Sequence, residues 1–197
     1  KEGKWDDPSV LEVAKAYEDF AKKGYFSEQI ASNVWPAGQN QELALGTAAI
    51  YLNGSWLPNE VKDITGEDFS WGCFSYPAVK GGKDGVEASN YGAQVFAINK
   101  KSKKAEDAFK LIQFFTKGKF DEKLSQESLG IPADSDNKDW PKQLKNVRPV
   151  MEELKTRYPW AASAEDNVDM TPILKENFMK LCGGSITAEE FVANLKK

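Results

Sequence analysis

GTAAIYLNGSW, residues Gly46 to Trp56, is the stretch on which the fold turns. Ala48 to Leu52 form an unbroken apolar run of strand length, and such runs suit a strand covered on both faces rather than one with a wet side. Asn53-Gly54 ends the run with turn residues, and Pro58 opens a short helix towards Ile64. Trp56 therefore stands just past the carboxyl end of the expected strand. In open α/β sheets that is where ligands collect.

Reading outward, the same grammar repeats. Trp71 to Tyr76 and Gln94 to Ile98 read as further strands, the first ended by Pro77, with Gly81-Gly82 in a loop between them. Upstream, Asp7-Pro8 caps a helix that runs to about Lys23, with Val10, Val13, Ala14, Tyr17 and Phe20 on one face and Gly24 as its stop. A shorter helix is expected over Asn40 to Leu45. Ser102 caps a helix whose Ala105, Ala108, Phe109, Ile112 and Phe115 form an apolar stripe. From Lys119 the chain reads as helical: Phe120 with Leu124, then Pro141 to Tyr158 bent near Pro149, then Thr171 to Leu181. Thr187 and Glu190, three apart, spell a capping box for a last helix with Phe191, Val192 and Leu195 inward. The sum is an α/β fold, rich in helix, without internal repeats.

Composition removes several function classes. With 197 residues, 41% of them hydrophobic, the chain suits one ordinary domain or a large piece of a two-lobed protein. Lys and Arg total 26 against 30 acids, interspersed, which leaves no basic face for nucleic acid. There is no run of roughly 18 apolar residues and no amino-terminal signal pattern. The chain opens on Lys1 within what reads as a polar turn, so we expect missing upstream sequence, including a signal or lipid anchor. Histidine is absent, which removes Ser-His-Asp and Cys-His nucleophile pairs and imidazole metal sites. Cys73 and Cys182 lack zinc-ligand spacing. They read as two buried thiols, with a long-loop disulfide as the alternative. No catalytic residue, metal or cofactor is expected.

The chain holds 6 Trp, and five of them, Trp35, Trp56, Trp71, Trp140 and Trp160, fall at turns or element ends rather than on helical stripes. A flat ring at a loop offers an apolar face to the C–H side of a sugar while neighbouring amides bond its hydroxyls. Trp71 begins a strand and Trp140 precedes a proline, so both read as structural.

Together with FSYPAVKGG at Phe74 to Gly82 and NYGAQVFAINKKSKKAEDAFKLIQFF at Asn90 to Phe115, the opening stretch resembles the family 1 bacterial extracellular solute-binding proteins, the maltodextrin-binding type, over their C-terminal half. The family's Met position holds Ile50. The resemblance implies a periplasmic-binding-protein-like type II fold of two α/β lobes closing on a ligand. Residues 1–89 would then be part of the second lobe, 90–131 the strand and helices crossing back to the first, and 132–197 the helical end of the second. It further implies an ABC-importer receptor, monomeric, working with a membrane permease as a lipoprotein or periplasmic protein, and a mono- or oligosaccharide as small-molecule ligand. Trp56 matches the family's sugar-stacking position, with Asn53 and Ser55 near enough to hydrogen-bond. Asn90, Tyr91 and Gln94 read as cleft lining or as hinge, and Trp160 and Trp35 as further candidates. Two other classes compete: a carbohydrate-active enzyme with paired carboxylates, whose candidates Glu42, Glu60, Asp166 and Asp169 read as solvated surface, and a helical interaction module, against which no spare heptad seam is left. A non-sugar solute is the remaining alternative.

Overall fold

The computed structural model describes residues 4–159 and 168–196. In chain order its elements are α1 (Pro8–Lys22), α2 (Ala37–Ala44), α3 (Leu57–Thr65), β1 (Ala88–Tyr91), α4 (Ala105–Phe115), α5 (Gly118–Ser128), a 3-10 turn (Lys142–Leu144), α6 (Val147–Glu153), β2 (Thr156–Pro159), α7 (Met170–Cys182) and α8 (Ala188–Leu195). The chain is thus helix-rich α/β. It divides into two compact units, Lys1–Gln39 with Ser75–Gly92 and Leu154–Lys197, and Asn40–Phe74 with Ala93–Glu153.

In the first unit, α1, α7 and α8 pack together around Ala14, Leu181, Ala188, Phe191, Val192 and Leu195. Burying each of the larger side chains contributes about 1.5–3 kcal/mol. Both expected caps are present. Asp7 Oδ1 accepts from Ser9 N at 2.9 Å, with Pro8 in the first turn. Thr187 Oγ1 accepts from Glu190 N at 3.2 Å while Thr187 N donates to Glu190 Oε2 at 2.8 Å. Ala188 N donates to Glu18 Oε2 at 3.2 Å, which ties the start of α8 to α1. β1 and β2 pair in parallel with Ala88 opposite Thr156 and Tyr91 opposite Pro159. Tyr158, expected at the end of a helix, lies instead in β2, because Lys155 and Thr156 donate their N–H groups to Glu87 O and draw the chain into a ladder.

In the second unit, α3 buries Leu57, Pro58 and Val61. The loop after α5 closes on Asp121, a buried carboxylate that accepts from Ala133 N at 2.8 Å, Asp134 N at 3.2 Å and Asn137 Nδ2 at 3.3 Å. Three expected strands do not form. Ala48–Leu52, Trp71–Tyr76 and Gln94–Ile98 run without regular pairing, since among the described residues the one sheet is β1 with β2. Their apolar side chains face solvent: Ile50 and Leu52 are each 72% exposed and Val95 81%. The stripe of α4 forms as a helix face, yet no residue of α4 is buried.

Cys73 is exposed and Cys182 buried, and both are free thiols. The expectation of burial holds for Cys182 alone.

Candidate functional site

The loop between the extended run and α3 carries the principal candidates, all within the second unit. Asn53 folds back so that its Oδ1 accepts from Gly54 N at 2.7 Å. The chain turns, Leu57 N donates to Gly54 O at 3.1 Å, and α3 begins with Trp56 at its N-cap. The Trp56 ring lies over Gly54 so closely that an added Cβ there would come within 2.0 Å of ring carbons. Only glycine leaves room for the ring in that position. Trp56 remains 39% exposed, an aromatic platform with one side against the backbone and the rest open. Asn53 and Ser55, half-buried, flank it.

Beneath this loop lies a polar group that the sequence reading placed among helix and surface residues. Asn40, buried on α2, donates from Nδ2 to Glu60 Oε2 at 2.9 Å. Tyr51 belongs to the same group. Burial pushes its phenol up, the Glu60 carboxylate adds to that push, and a hydrogen bond with the Asn53 side chain pulls it down. Glu60 was visible in the sequence only as an exposed acid. The signal that could have found it is its spacing four residues after Trp56, which puts both on one face of α3.

The other candidates stand apart from this loop. Gln94 is exposed in the extended segment of the second unit. Asn90 and Tyr91 belong to β1, and Trp35, exposed, to the loop before α2, all in the first unit. Trp160 and Asp166 lie outside the described residues. Asp169 is exposed at the N-cap of α7.

A concavity of about 260 Å³ in the first unit is lined by Glu18, Lys22, Ser185, Thr187 and Glu190. Its charged groups are already engaged, Glu18 with Lys22 at 2.7 Å and Glu190 within the capping box. Among the described residues no cluster of His, Cys, Asp and Glu could hold a metal ion, and no helix is long and apolar enough to cross a membrane.

What the loop can do chemically is limited to holding a solute. An open aromatic face beside amide, hydroxyl and carboxylate groups can stack a ring and bond its substituents, and the chain has no histidine to act as a base. Comparison with known proteins gives one positive result: a family model described as bacterial extracellular solute-binding protein matches residues 1–119. No curated protein matches the chain. No solved structure matches it either.

Proposed function

We infer that this chain, which belongs to the bacterial extracellular solute-binding protein family, is part of the receptor of an ABC importer that carries a carbohydrate between two α/β lobes. Membership implies a small-molecule ligand, an ABC permease as partner and an extracellular or periplasmic place of work. The carbohydrate, the type II two-lobe closure and attachment as a lipoprotein are the finer parts of the proposal. So is the division into a partial second lobe at 1–89, crossing elements at 90–131 and a helical end at 132–197.

The observation that carries the sugar reading is the Trp56 ring, seated on Gly54, open to solvent and flanked by Asn53 and Ser55. Pyranose rings present an apolar C–H face to such a platform and hydroxyls to the neighbouring amides. Asn90, Tyr91, Gln94, Trp35 and Trp160 are proposed as secondary contacts, contributed when the lobes close. An enzymatic reading has less support, because the family is one of binding proteins and Glu60 is already bonded to Asn40.

Isothermal titration of the full-length protein with mono- and oligosaccharides, alongside Trp56→Ala, tests this. Saturable binding that weakens at least tenfold in the variant, a loss of about 1.4 kcal/mol, is expected. Binding of amino acids or peptides with silence towards sugars would overturn the carbohydrate part, and product formation from a glycan would overturn the receptor part.

A further inference from the structure

We propose that Glu60, held in place by Asn40, is a second recognition group of the Trp56 site and selects for neutral solutes rich in hydroxyl donors against negatively charged ones. This rests on the reading of Trp56 as the stacking platform.

Asn40 is 7% exposed, and its Oδ1 is buried with no hydrogen-bond partner, while its Nδ2 donates to Glu60 Oε2 at 2.9 Å. Leaving a buried amide oxygen unbonded is costly, and native structures hold few such atoms. Here the unbonded oxygen belongs to the same planar amide that grips Glu60. A donor arriving with the solute would complete it.

Glu60 itself is exposed, so the carboxylate fixed at one oxygen keeps its second oxygen for another partner. It sits one helical turn beyond Trp56, and its N–H faces Trp56 O at 3.4 Å. Side chains four apart on a helix are neighbours, so the carboxylate stands beside the indole on the same face. Tyr51, whose phenol senses the Glu60 charge and bonds the Asn53 side chain, joins the two halves of the group.

The acceptor–donor balance then sets the chemistry. An ionised carboxylate only accepts, and the unsatisfied Asn40 atom is also an acceptor. A solute on Trp56 must therefore donate at that edge, as adjacent sugar hydroxyls do. A carboxylate or phosphate on the solute would be repelled by Glu60 and would leave Asn40 Oδ1 unbonded. Asn40 acts through Glu60 as a positioning residue.

The test is calorimetric binding to the full-length protein of glucose, galactose and xylose oligosaccharides and of glucuronate and galacturonate as charged counterparts. Glu60→Gln keeps the shape of the side chain and the fold, and Glu60→Asp keeps the charge but withdraws it by one methylene. Wild type is expected to prefer the neutral sugar over its uronate. Glu60→Gln is expected to weaken the neutral sugar about tenfold and to narrow the preference, and Glu60→Asp to weaken it while keeping the preference. Asn40→Ala should move the preference in the same direction as Glu60→Gln, which a loss of stability alone would not do.

If Trp56→Ala costs tenfold while Glu60→Gln changes neither affinity nor preference by more than twofold, this inference falls and the sugar-receptor reading stands. A wild-type preference for the uronate overturns it as well. If Trp56→Ala has no effect, or no sugar binds, both fall together.

Discussion

Truncating Leu181 to Ala tests whether the first unit has a sealed core of its own. Leu181 is 0% exposed and packs in one cluster with Ala14, Ala188, Phe191, Val192 and Leu195. At about 0.8 kcal/mol per buried methylene, losing most of the side chain removes about 2.4 kcal/mol of transfer free energy. The cavity adds to this, because helices on each side relax only in part. A total of about 3–4 kcal/mol is expected, within the roughly 2–5 kcal/mol of buried Leu→Ala changes. Urea unfolding reads it: with a slope of about 2–3 kcal/mol/M, the midpoint should fall by about 1–2 M at unchanged slope. Segment-resolved amide exchange should show protection lost first in α1, α7 and α8. A drop below about 1 kcal/mol would refute the reasoning, since a side chain sealed on all sides cannot be truncated so cheaply.

Burial and the hydroxyl of Tyr76 push the Tyr17 phenol well above its ordinary range. The folded state therefore holds that proton longer than the unfolded state, so stability is fully present below about pH 10 and falls as pH rises beyond it. Tyr17→Phe should flatten that fall in urea midpoints between about pH 10 and 12, and an unchanged slope would count against the contact. Burial raises the Cys182 thiol to about 12. Because the thiolate is the reactive form, iodoacetamide at pH 8 should label exposed Cys73 first and Cys182 only after denaturation; equal rates by mass spectrometry would contradict the packing. Asp121→Ala strands the N–H groups of Ala133 and Asp134 and the amide of Asn137, so a loss of about 1–3 kcal/mol is expected, with exchange protection lost over residues 130–139. Unaltered protection there would refute the clasp.

Helices were legible because their signals are local. The Asp7-Pro8 start, the Thr187–Glu190 box and the inward Phe191, Val192 and Leu195 all depend on residues within a turn or two of one another. Strands were not legible because a ladder needs a second segment. Ala48–Leu52 has the composition of a covered strand but finds no neighbour among the described residues, whereas polar Ala88–Tyr91 becomes β1 because Thr156–Pro159 lies beside it. The same distinction divides the candidate site. Asn53, Ser55 and Trp56 could be named from their place after an apolar run. Asn40 could not, since its importance lies in a bond to Glu60 twenty residues away.

The unpaired runs also govern how the protein behaves in the tube. Extended backbone carrying Ile50, Leu52, Val95 and Phe96 in water offers open edges to any other extended chain. Concentrated stocks of residues 1–197 should thus self-associate through edge-to-edge addition, with light scattering that rises with protein concentration and reverses in mild chaotrope. A lysine placed at position 50 or 95 would act as a gatekeeper and suppress the scattering, leaving the three-helix core of α1, α7 and α8 intact.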